Sequence, residues 1–496
     1  MPNRINIGWA QTDITPERPF YVTGQLYSRI STYIHDPLTA TCLVLENGDE
    51  QMTFVSLDMP SVSHVLVQRI QESLDIPELN LSQINFNATH THNSTSFGAR
   101  KPHTTSTGLS WGDLIGDPEL LETLDIPENL IDGEELIELF VDRVSALITD
   151  AWMQRAPGGI SAAQDYAVVA FNRRPVFRLP DGSTEARMYG NCSEDQFIGL
   201  EGYSDHTVDL LYTWDEQNNL TGVVVDVPCP SQVCELHRFI SADYWGYARS
   251  HIRDALGNVY VLPMCGAAGD QNPLDLIHLS KTNVEPFKIW NAQQQEAHRN
   301  FDMFAACDAI GLRIADAVRR GYTIAQNTVE TRPVFRYRQL QIDLNIRQVT
   351  EQDYQDALRE IESISQEFSR EHRMKEADIT RLFLPGGVIA RWERQQNNPV
   401  YTVTCHILRL GSVVFASNPF ELFTEYGLRI RARCRARQAF IVQLSSNSGG
   451  PGGYLPTHAA IAGGSYSSKP ASTTVGPEAG DQLTDQTIQA INELFS

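Results

Sequence analysis

A strand, helix and strand pattern near the N-terminus constrains the fold of this 496-residue chain most. Residues 39–46 and 51–58 carry the alternating, β-branched pattern of two strands around the turn Asn47-Gly48-Asp49. Helical spacing follows over 62–74, and 81–88 returns as a strand. A helix between two strands requires helices packed against sheets. We therefore expect an α/β fold (α+β mixed) rather than a sandwich.

The rest of the chain continues this mixture. Further strands are predicted over 5–14, 259–262, 401–409, 412–417 and 439–444, and helices over 133–154, 241–256 (with Ser241 as N-cap) and 422–436. We interpret two segments as insertions, a Gly/Pro/Ser-rich one at about 100–132 that lines or covers a pocket and a charged helical one at about 351–397 with a solvated face. Without repeats or a long linker, we expect one large multilayer catalytic domain over 1–496, with mixed sheets flanked by helices.

Charge and composition argue against several functional classes. A net charge of −22 repels nucleic-acid phosphates, and no Lys/Arg-rich tract offsets it. The first residues lack the pattern of a signal peptide, and no apolar run of about 18 residues occurs, so we expect a cytoplasmic chain without stable membrane insertion. The eight scattered cysteines fit buried thiols in a reducing compartment.

The tetrapeptide Thr89-His90-Thr91-His92 is the strongest chemical signal. Side chains of an extended segment repeat every second residue, so both imidazoles leave the same face where the strand ends. Two such imidazoles suit a transition metal, or a metal ligand beside a proton shuttle. A pair of ordinary surface or hydrogen-bonded histidines is the alternative.

The chain contains several further motifs in separated stretches: Asp13-Ile14-Thr15-Pro16, Ile34-His35-Asp36-Pro37-Leu38, Asn87 to His92, Asn172-Arg173-Arg174, Ile240 to Ala248, Gly269-Asp270-Gln271-Asn272-Pro273, Pro419 to Phe423, and Gly453 to Thr457 with Tyr466. Together these stretches resemble the catalytic domain of the neutral/alkaline non-lysosomal ceramidase family. They occur in order over about residues 7–470. The resemblance implies that family's catalytic fold, here without the C-terminal β-sandwich module of its larger members.

The resemblance also implies a zinc site, because that family holds zinc with two histidines, a glutamate and a tyrosine. Carried over residue by residue, it implies His90, Glu421 and Tyr454 as zinc ligands, His92 as a proton-transfer group, and Arg173 and Tyr466 as groups that orient substrate or stabilise an oxyanion. Zinc accepts such donors and lowers the pKa of bound water toward about 7. Each residue also has a simpler interpretation. Glu421 fits a carboxylate stabilised at a helix N-terminus. Tyr454 and Tyr466 fit side chains that pack in loops, and Arg173 fits a member of a surface ion pair.

Two positions depart from the family pattern. Counting back from Asp243 places Cys229 where the family has its second zinc histidine; a thiolate is a good zinc ligand, with His237 and His206 as fallback ligands and a buried thiol as the alternative. Asn272 stands where the family has serine. Because an amide is not a nucleophile, any mechanism relies on metal-activated water or uses Asn272 as a hydrogen-bond donor.

These features predict a zinc-dependent hydrolase that cleaves an amide or related bond of a small polar or sugar-derived molecule. One alternative is a true ceramidase, an N-acylsphingosine amidohydrolase. Another is a non-catalytic descendant that binds a ligand in the same cleft. The metal, the substrate and homo-oligomerisation stay open at this point.

Overall fold

Three β-sheets of four or five strands form the centre of the protein, a computed structural model that describes residues 4–95, 110–281 and 302–496. Each sheet contains the same connection, in which an antiparallel hairpin is followed by a helix and then by a strand parallel to the second hairpin strand. Helices thus pack on mixed sheets, which confirms the predicted α/β class.

The first sheet carries the histidine motif. Its strands are β1 (Asn6–Asp13), β4 (Thr39–Asn47), β5 (Glu50–Leu57), β6 (Ile84–Ala88) and β7 (Ala156–Pro157). The order is β6-β5-β4-β1-β7, and helix α1 (His64–Ser73) connects the parallel pair β5 and β6. The predicted hairpin turn is confirmed, with Gly48 at φ 68°. The chain leaves β6 directly into the tetrapeptide that holds His90 and His92.

The second and third sheets repeat this connection. The second, ordered β15-β14-β13-β8, contains β8 (Gly159–Tyr166), β13 (Thr207–Trp214), β14 (Leu220–Val227) and β15 (Tyr260–Cys265), and α4 (Tyr244–Leu256) joins its parallel pair. The third, ordered β17-β18-β19-β21, contains β17 (Phe335–Asn345), β18 (Val400–Leu410), β19 (Val413–Ser417) and β21 (Gln438–Val442), with α10 (Thr424–Arg433) in the connection.

Short strands and outer helices complete the described fold. The short strands are β2 (Tyr21–Val22), β3 (Arg29–Ile30), β9 (Phe171–Asn172), β10 (Pro175–Arg178), β11 (Thr184–Ala186), β12 (Phe197–Leu200), β16 (Gln271–Asn272), β20 (Glu421–Leu422) and β22 (Tyr454–Leu455). The other helices are α2 (Trp111–Ile115), α3 (Gly133–Met153), α5 (Leu276–Ser280), α6 (Met303–Ala325), α7 (Glu351–Gln366), α8 (Glu376–Arg381), α9 (Phe383–Asn397), α11 (His458–Gly463) and α12 (Pro477–Leu494).

One apolar cluster joins all three sheets. It contains Leu43 of β4, Val224 of β14 and Phe415 of β19, each at most 2% exposed. Alternating side chains of a strand face opposite sides, so each sheet contributes one face to this cluster while its other face packs against helices. This shared core holds the ends of the three parallel pairs in a common frame.

The two predicted insertions pack against each other, as far as the structure describes them. Residues 96–109 lie outside the described residues, but 110–124 contact the helical segment 351–397, with paired backbone hydrogen bonds between Leu120, Glu122 and Met374. Apolar side chains of both segments form a separate small cluster. The helical insertion therefore has a buried side as well as a solvated one. We call the two segments together the cap.

Two helix boundaries differ from the sequence predictions. Helix α4 is capped by Asp243, at φ 57°, rather than by Ser241, whose hydroxyl donates to Asp36 and accepts from the Asp243 N–H, ahead of the helix. Helix α10 begins later and ends earlier than the predicted range 422–436, since Glu421 and Leu422 pair with β22. Among the described residues, no helix combines the length and apolarity that a membrane span requires.

A buried ion pair joins helix α4 to Asp58, the residue that follows β5. Arg249 of α4 donates to both carboxylate oxygens of Asp58 at 2.7 and 2.9 Å, and both side chains are at most 4% exposed. In Arg249→Met the charge of Asp58 loses its partner, so we expect about 3–5 kcal/mol less free energy of unfolding in urea titrations. The half-exposed pair Arg433–Asp485 is the control, and Arg433→Met should cost far less. Equal losses would contradict the prediction.

The buried His406 should make stability depend on pH. Burial lowers its pKa to about 4, and its Nδ1 lies 2.9 Å from the Tyr337 hydroxyl. The unfolded chain, with a pKa of about 6.5, binds this proton more tightly, so the free energy of unfolding should fall by about 3 kcal/mol as the pH drops from about 6.5 to 4. His406→Gln should flatten this slope in urea titrations, whereas the exposed control His458→Gln should keep it. An unchanged slope in His406→Gln would refute this.

Candidate active site

A cavity of about 1800 Å³ lies between the ends of the three parallel strand pairs and the cap. Six of the eight residues predicted for the site line it: His90, His92, Arg173, Glu421, Tyr454 and Tyr466. His90 and Tyr466, the first and the last of these residues, are more than 370 positions apart in the chain. The folded structure thus brings together side chains that the sequence only suggested as a group.

His90 is held in a defined tautomer. Its Nδ1 lies 2.6 Å from the Pro60 carbonyl oxygen, which can only accept, so Nδ1 carries the proton. Nε2 then faces the cavity, where the Glu421 Oε2 atom lies 3.4 Å away. Burial disfavours charge on this imidazole, but Glu421 outweighs burial and raises the pKa of His90 above its usual value. The residue adopts φ 67°, a strained conformation for a non-glycine residue and one found preferentially at functional sites.

Glu421 and Tyr454 are neighbours because two short strands pair in parallel. In this pairing Glu421 of β20 lies directly opposite Tyr454 of β22. Burial raises the pKa of Glu421, but the nearby His90 and Arg173 outweigh this effect and lower it below its usual value. The carboxylate is therefore ionised. Burial raises the pKa of the Tyr454 phenol well above its usual range.

His92 lies between His90 and two residues that the sequence analysis missed. Its Nε2 is 3.4 Å from His90 Nε2, and its Nδ1 is 3.3 Å from a carboxylate oxygen of Glu235. The Gln232 amide nitrogen lies 3.3 Å from both His92 Nε2 and that carboxylate. Burial lowers the pKa of His92, and Glu235 offsets this only in part. The imidazole is thus neutral and its orientation is fixed by Glu235.

The separations around His90 fit a metal ion. Two ligands about 2.0–2.1 Å from a tetrahedral zinc ion lie about 3.3–3.4 Å apart, and His90 Nε2 lies 3.4 Å from both Glu421 Oε2 and His92 Nε2. His90 already commits its Nδ1 proton elsewhere, as metal-bound histidines do. His90 and Glu421 are therefore spaced as two ligands of one zinc ion, with Tyr454 paired to Glu421 and His92 beside them.

Arg173 forms the opposite side of the site. It donates to the Gly269 carbonyl at 3.0 Å and to the Tyr189 hydroxyl at 3.3 Å, and its guanidinium lies 5.2 Å from the centre of the Tyr454 ring. It is therefore buried against aromatic rings rather than in a surface ion pair. The Tyr466 ring meets the Tyr454 ring edge to face at 5.7 Å.

Asn272 does not line the cavity and is separated from it by Tyr189. Its amide donates to the Tyr189 hydroxyl at 2.6 Å, and Tyr189 lines the cavity where Asn272 does not. The hydrogen-bond role considered for Asn272 is thus directed at Tyr189. Tyr189 was missed because no motif precedes it, although its φ of 59° marks it once the backbone is known.

The structure does not bring Cys229 to the cavity. Its thiol is 1% exposed, lies 3.2 Å from the Val169 carbonyl oxygen, and belongs to the apolar core of the second sheet. The fallback ligands His237 and His206 do not line the cavity either. From this loop, Gln232 and Glu235 are the residues that reach His92. Counting residues back from Asp243 identified this loop, but it did not identify which side chains of the loop face the cavity.

Arg29 holds the loops of the site together. This fully buried guanidinium donates to four backbone carbonyls at 2.6–2.7 Å, those of Thr23, His92, Glu235 and His237. Burial lowers its pKa to about 10, so it stays charged at neutral pH. It therefore fixes the backbone on both sides of the contact between His92 and Glu235.

No protein-family model matches the chain. No curated protein matches it either. Among solved structures, it is similar to the neutral ceramidase from Pseudomonas aeruginosa, with a TM-score of 0.63 and 16% identity over 99% of this chain and 74% of that one. A ceramidase complexed with C2 gives a TM-score of 0.63 and 15% identity over 99% of this chain and 75% of that one. The chain therefore has a neutral ceramidase-like fold.

Proposed function

We propose that this protein is a zinc-dependent hydrolase of the neutral ceramidase-like superfamily, acting on an amide or related bond. The observation that carries the proposal is the position of His90 Nε2, which lies 3.4 Å from both a carboxylate oxygen of Glu421 and Nε2 of His92. His90, Glu421 and Tyr454 would hold the metal. Zinc bound there would supply Lewis acidity and lower the pKa of a water molecule to about 7.

In this proposal His92 is the general base. Its Nδ1 lies 3.3 Å from a carboxylate oxygen of Glu235, so in this proposal Nδ1 carries the proton and Nε2 keeps the lone pair that accepts a proton from the attacking water. When Nε2 gains that proton, the imidazolium lies against the Glu235 carboxylate, which stabilises it. His92 then returns the proton to the leaving group. Gln232, next to both side chains, restricts their rotation.

In this proposal Arg173 and Tyr466 meet the charge that develops on the substrate oxygen. Arg173 is held by Gly269 and Tyr189, so it needs no reorganisation when the oxygen becomes negative. Tyr466 offers a hydroxyl on the same wall of the cavity. A bond cleaved here requires an acceptor oxygen between these groups and His92, as in an amide or ester.

We favour a small polar substrate, such as an acylated sugar derivative, because charged side chains line part of the outer cavity. The cap contributes charged side chains to its wall, among them Lys375, Glu376 and Arg394, and Arg238 of the central fold pairs with Glu376. A lipid chain in contact with these groups would strip their hydration without replacing it. Ceramide hydrolysis is the second candidate, supported by the fold shared with ceramidases. A non-catalytic ligand-binding role is the third.

Metal content and turnover test the proposal together. Relative to wild type, His90→Ala and Glu421→Gln should each lose one zinc equivalent per chain, because each removes a ligand. His92→Ala should keep the metal but lower turnover about 10²–10⁴-fold, since it removes the base. Elemental analysis gives the metal, and a panel of N-acyl amino sugars, N-acyl amino acids and a fluorescent ceramide gives turnover.

The outcomes separate the three candidates. Release of acid from a polar amide supports the proposal, whereas turnover of ceramide alone selects the second candidate. Zinc retained without hydrolysis of any member of the panel would favour the ligand-binding role. Unchanged zinc in both His90→Ala and Glu421→Gln would refute the metal site.

Gly24 provides a second test of His92. It has φ 106°, and a methyl group at this position would lie 2.5 Å from Cγ of the His92 ring. Gly24→Ala should therefore displace the imidazole and lower turnover about 10²-fold while zinc is retained. Gly182→Ala is the matched control, because Gly182 has φ 87° with no neighbour within 4 Å of the added methyl group. Equal activities of the two variants, read in the same assay, would speak against a positional role for His92.

A further inference from the structure

A second group of metal-ligating side chains lies outside the cavity. Among the described residues, Cys234, Asp243 and Cys307 form the one set of three His, Cys, Asp or Glu side chains whose ligand atoms all lie within 4.8 Å of one another. They come from the loop after β14, the N-cap of α4 and the first turns of α6. Each is at most 1% exposed, and none lines the cavity.

The distance between the two sulfur atoms fits a shared cation. Cys234 Sγ and Cys307 Sγ lie 3.8 Å apart. Two thiolates about 2.3 Å from a tetrahedral zinc ion are separated by about 3.8 Å, whereas a disulfide would hold its sulfurs about 2.05 Å apart. The two side chains therefore need no rearrangement to bind one metal ion.

Asp243 supplies a buried negative charge beside these sulfurs. Its Oδ2 accepts from the Cys234 N–H at 2.8 Å and its Oδ1 from the Tyr244 N–H at 2.9 Å, so the carboxylate is oriented as in a metal ligand with its outer hydrogen bonds in place. Within the described residues Asp243 forms no ion pair with Lys, Arg or His. A buried carboxylate without a cationic partner is costly, and a metal ion would offset that cost.

We propose that Cys234, Asp243 and Cys307 bind a thiophilic divalent cation of the zinc class at a structural site. Binding forms two metal–thiolate bonds and one metal–carboxylate bond, and it releases the two thiol protons to solvent. The metal would join the loop of residues 231–240 to α4 and α6. Because that loop carries Gln232 and Glu235, the site would hold the partners of His92 in place from behind. The binding itself does not depend on the proposed hydrolysis.

Cadmium titration tests this site directly. The metal-free, fully reduced, full-length protein is titrated with Cd²⁺ while the thiolate-to-cadmium charge-transfer absorption is recorded. The wild type should show a saturable absorption, and cadmium bound at His90 should add nothing to it, because the ligands proposed there include no thiol. The Cys234→Ser/Cys307→Ser variant should lose it. Cys405→Ser, which removes another fully buried thiol on β18, is the matched control and should keep it.

The outcomes distinguish this site from the proposed active site. Glu421→Gln should lose one zinc equivalent and retain the full thiolate absorption. The Cys234→Ser/Cys307→Ser variant should lose one zinc equivalent together with that absorption. No charge-transfer absorption in the wild type would overturn the proposal even if the cysteine variants do not fold. So would absorption that persists in the double variant, or recovery of a Cys234–Cys307 disulfide from protein purified without reductant.

Discussion

The hydrogen bond from His90 Nδ1 to the Pro60 carbonyl is the interaction on which the site depends. It commits one ring nitrogen as a donor and turns the other, Nε2, toward Glu421 and His92. The His90 backbone N–H also donates to the Met59 carbonyl, so the segment that precedes α1 fixes both the ring and the main chain. This double attachment offsets the cost of the positive φ at His90.

The repeated connection in the three sheets explains why distant residues meet. In each sheet a helix leads the chain to a strand that lies parallel to the second strand of the hairpin. The loops that follow the two strands of each parallel pair emerge at one side of the shared core. His90 follows β6, Glu235 follows β14 and Glu421 follows β19. Loops buried at such a junction need partners for their carbonyl groups. Arg29 provides them, with four acceptors from three separate segments.

The side chains around the cavity form two layers. The inner layer holds the imidazoles, carboxylates and phenols that face the cavity, while the cap forms an outer wall of mixed charge. Behind the inner layer, the loop of Gln232 and Glu235 is attached once by Arg29 and again at Cys234, beside Asp243 and Cys307. A loop held at two points has few conformations to lose when its carboxylate orients an imidazole, which is why pre-organised sites favour such supports.

Parts of the site were predictable because local patterns encode them. The histidine tetrapeptide at a strand end, the hairpin at Gly48 and the mixed fold all follow from spacing and turn chemistry within a few residues. The resemblance to the ceramidases also grouped Arg173, Glu421, Tyr454 and Tyr466, all of which line the cavity. What it could not supply was the direction in which each side chain leaves the loop after β14, so Cys229 was predicted where Gln232 and Glu235 stand.

The sequence by itself determined the mixed α/β class, the strands and helix that lead into the histidine tetrapeptide, and the residue types available for metal chemistry, because hydrogen bonds and side-chain periodicity act between near neighbours. Only the tertiary structure decided which of those residues meet. Ser241 and Asp243 are equally able to cap α4, and Asp36, some two hundred positions away in the chain, engages Ser241 and leaves Asp243 to cap the helix beside the two thiols. Such choices depend on contacts between remote segments, which no local pattern contains.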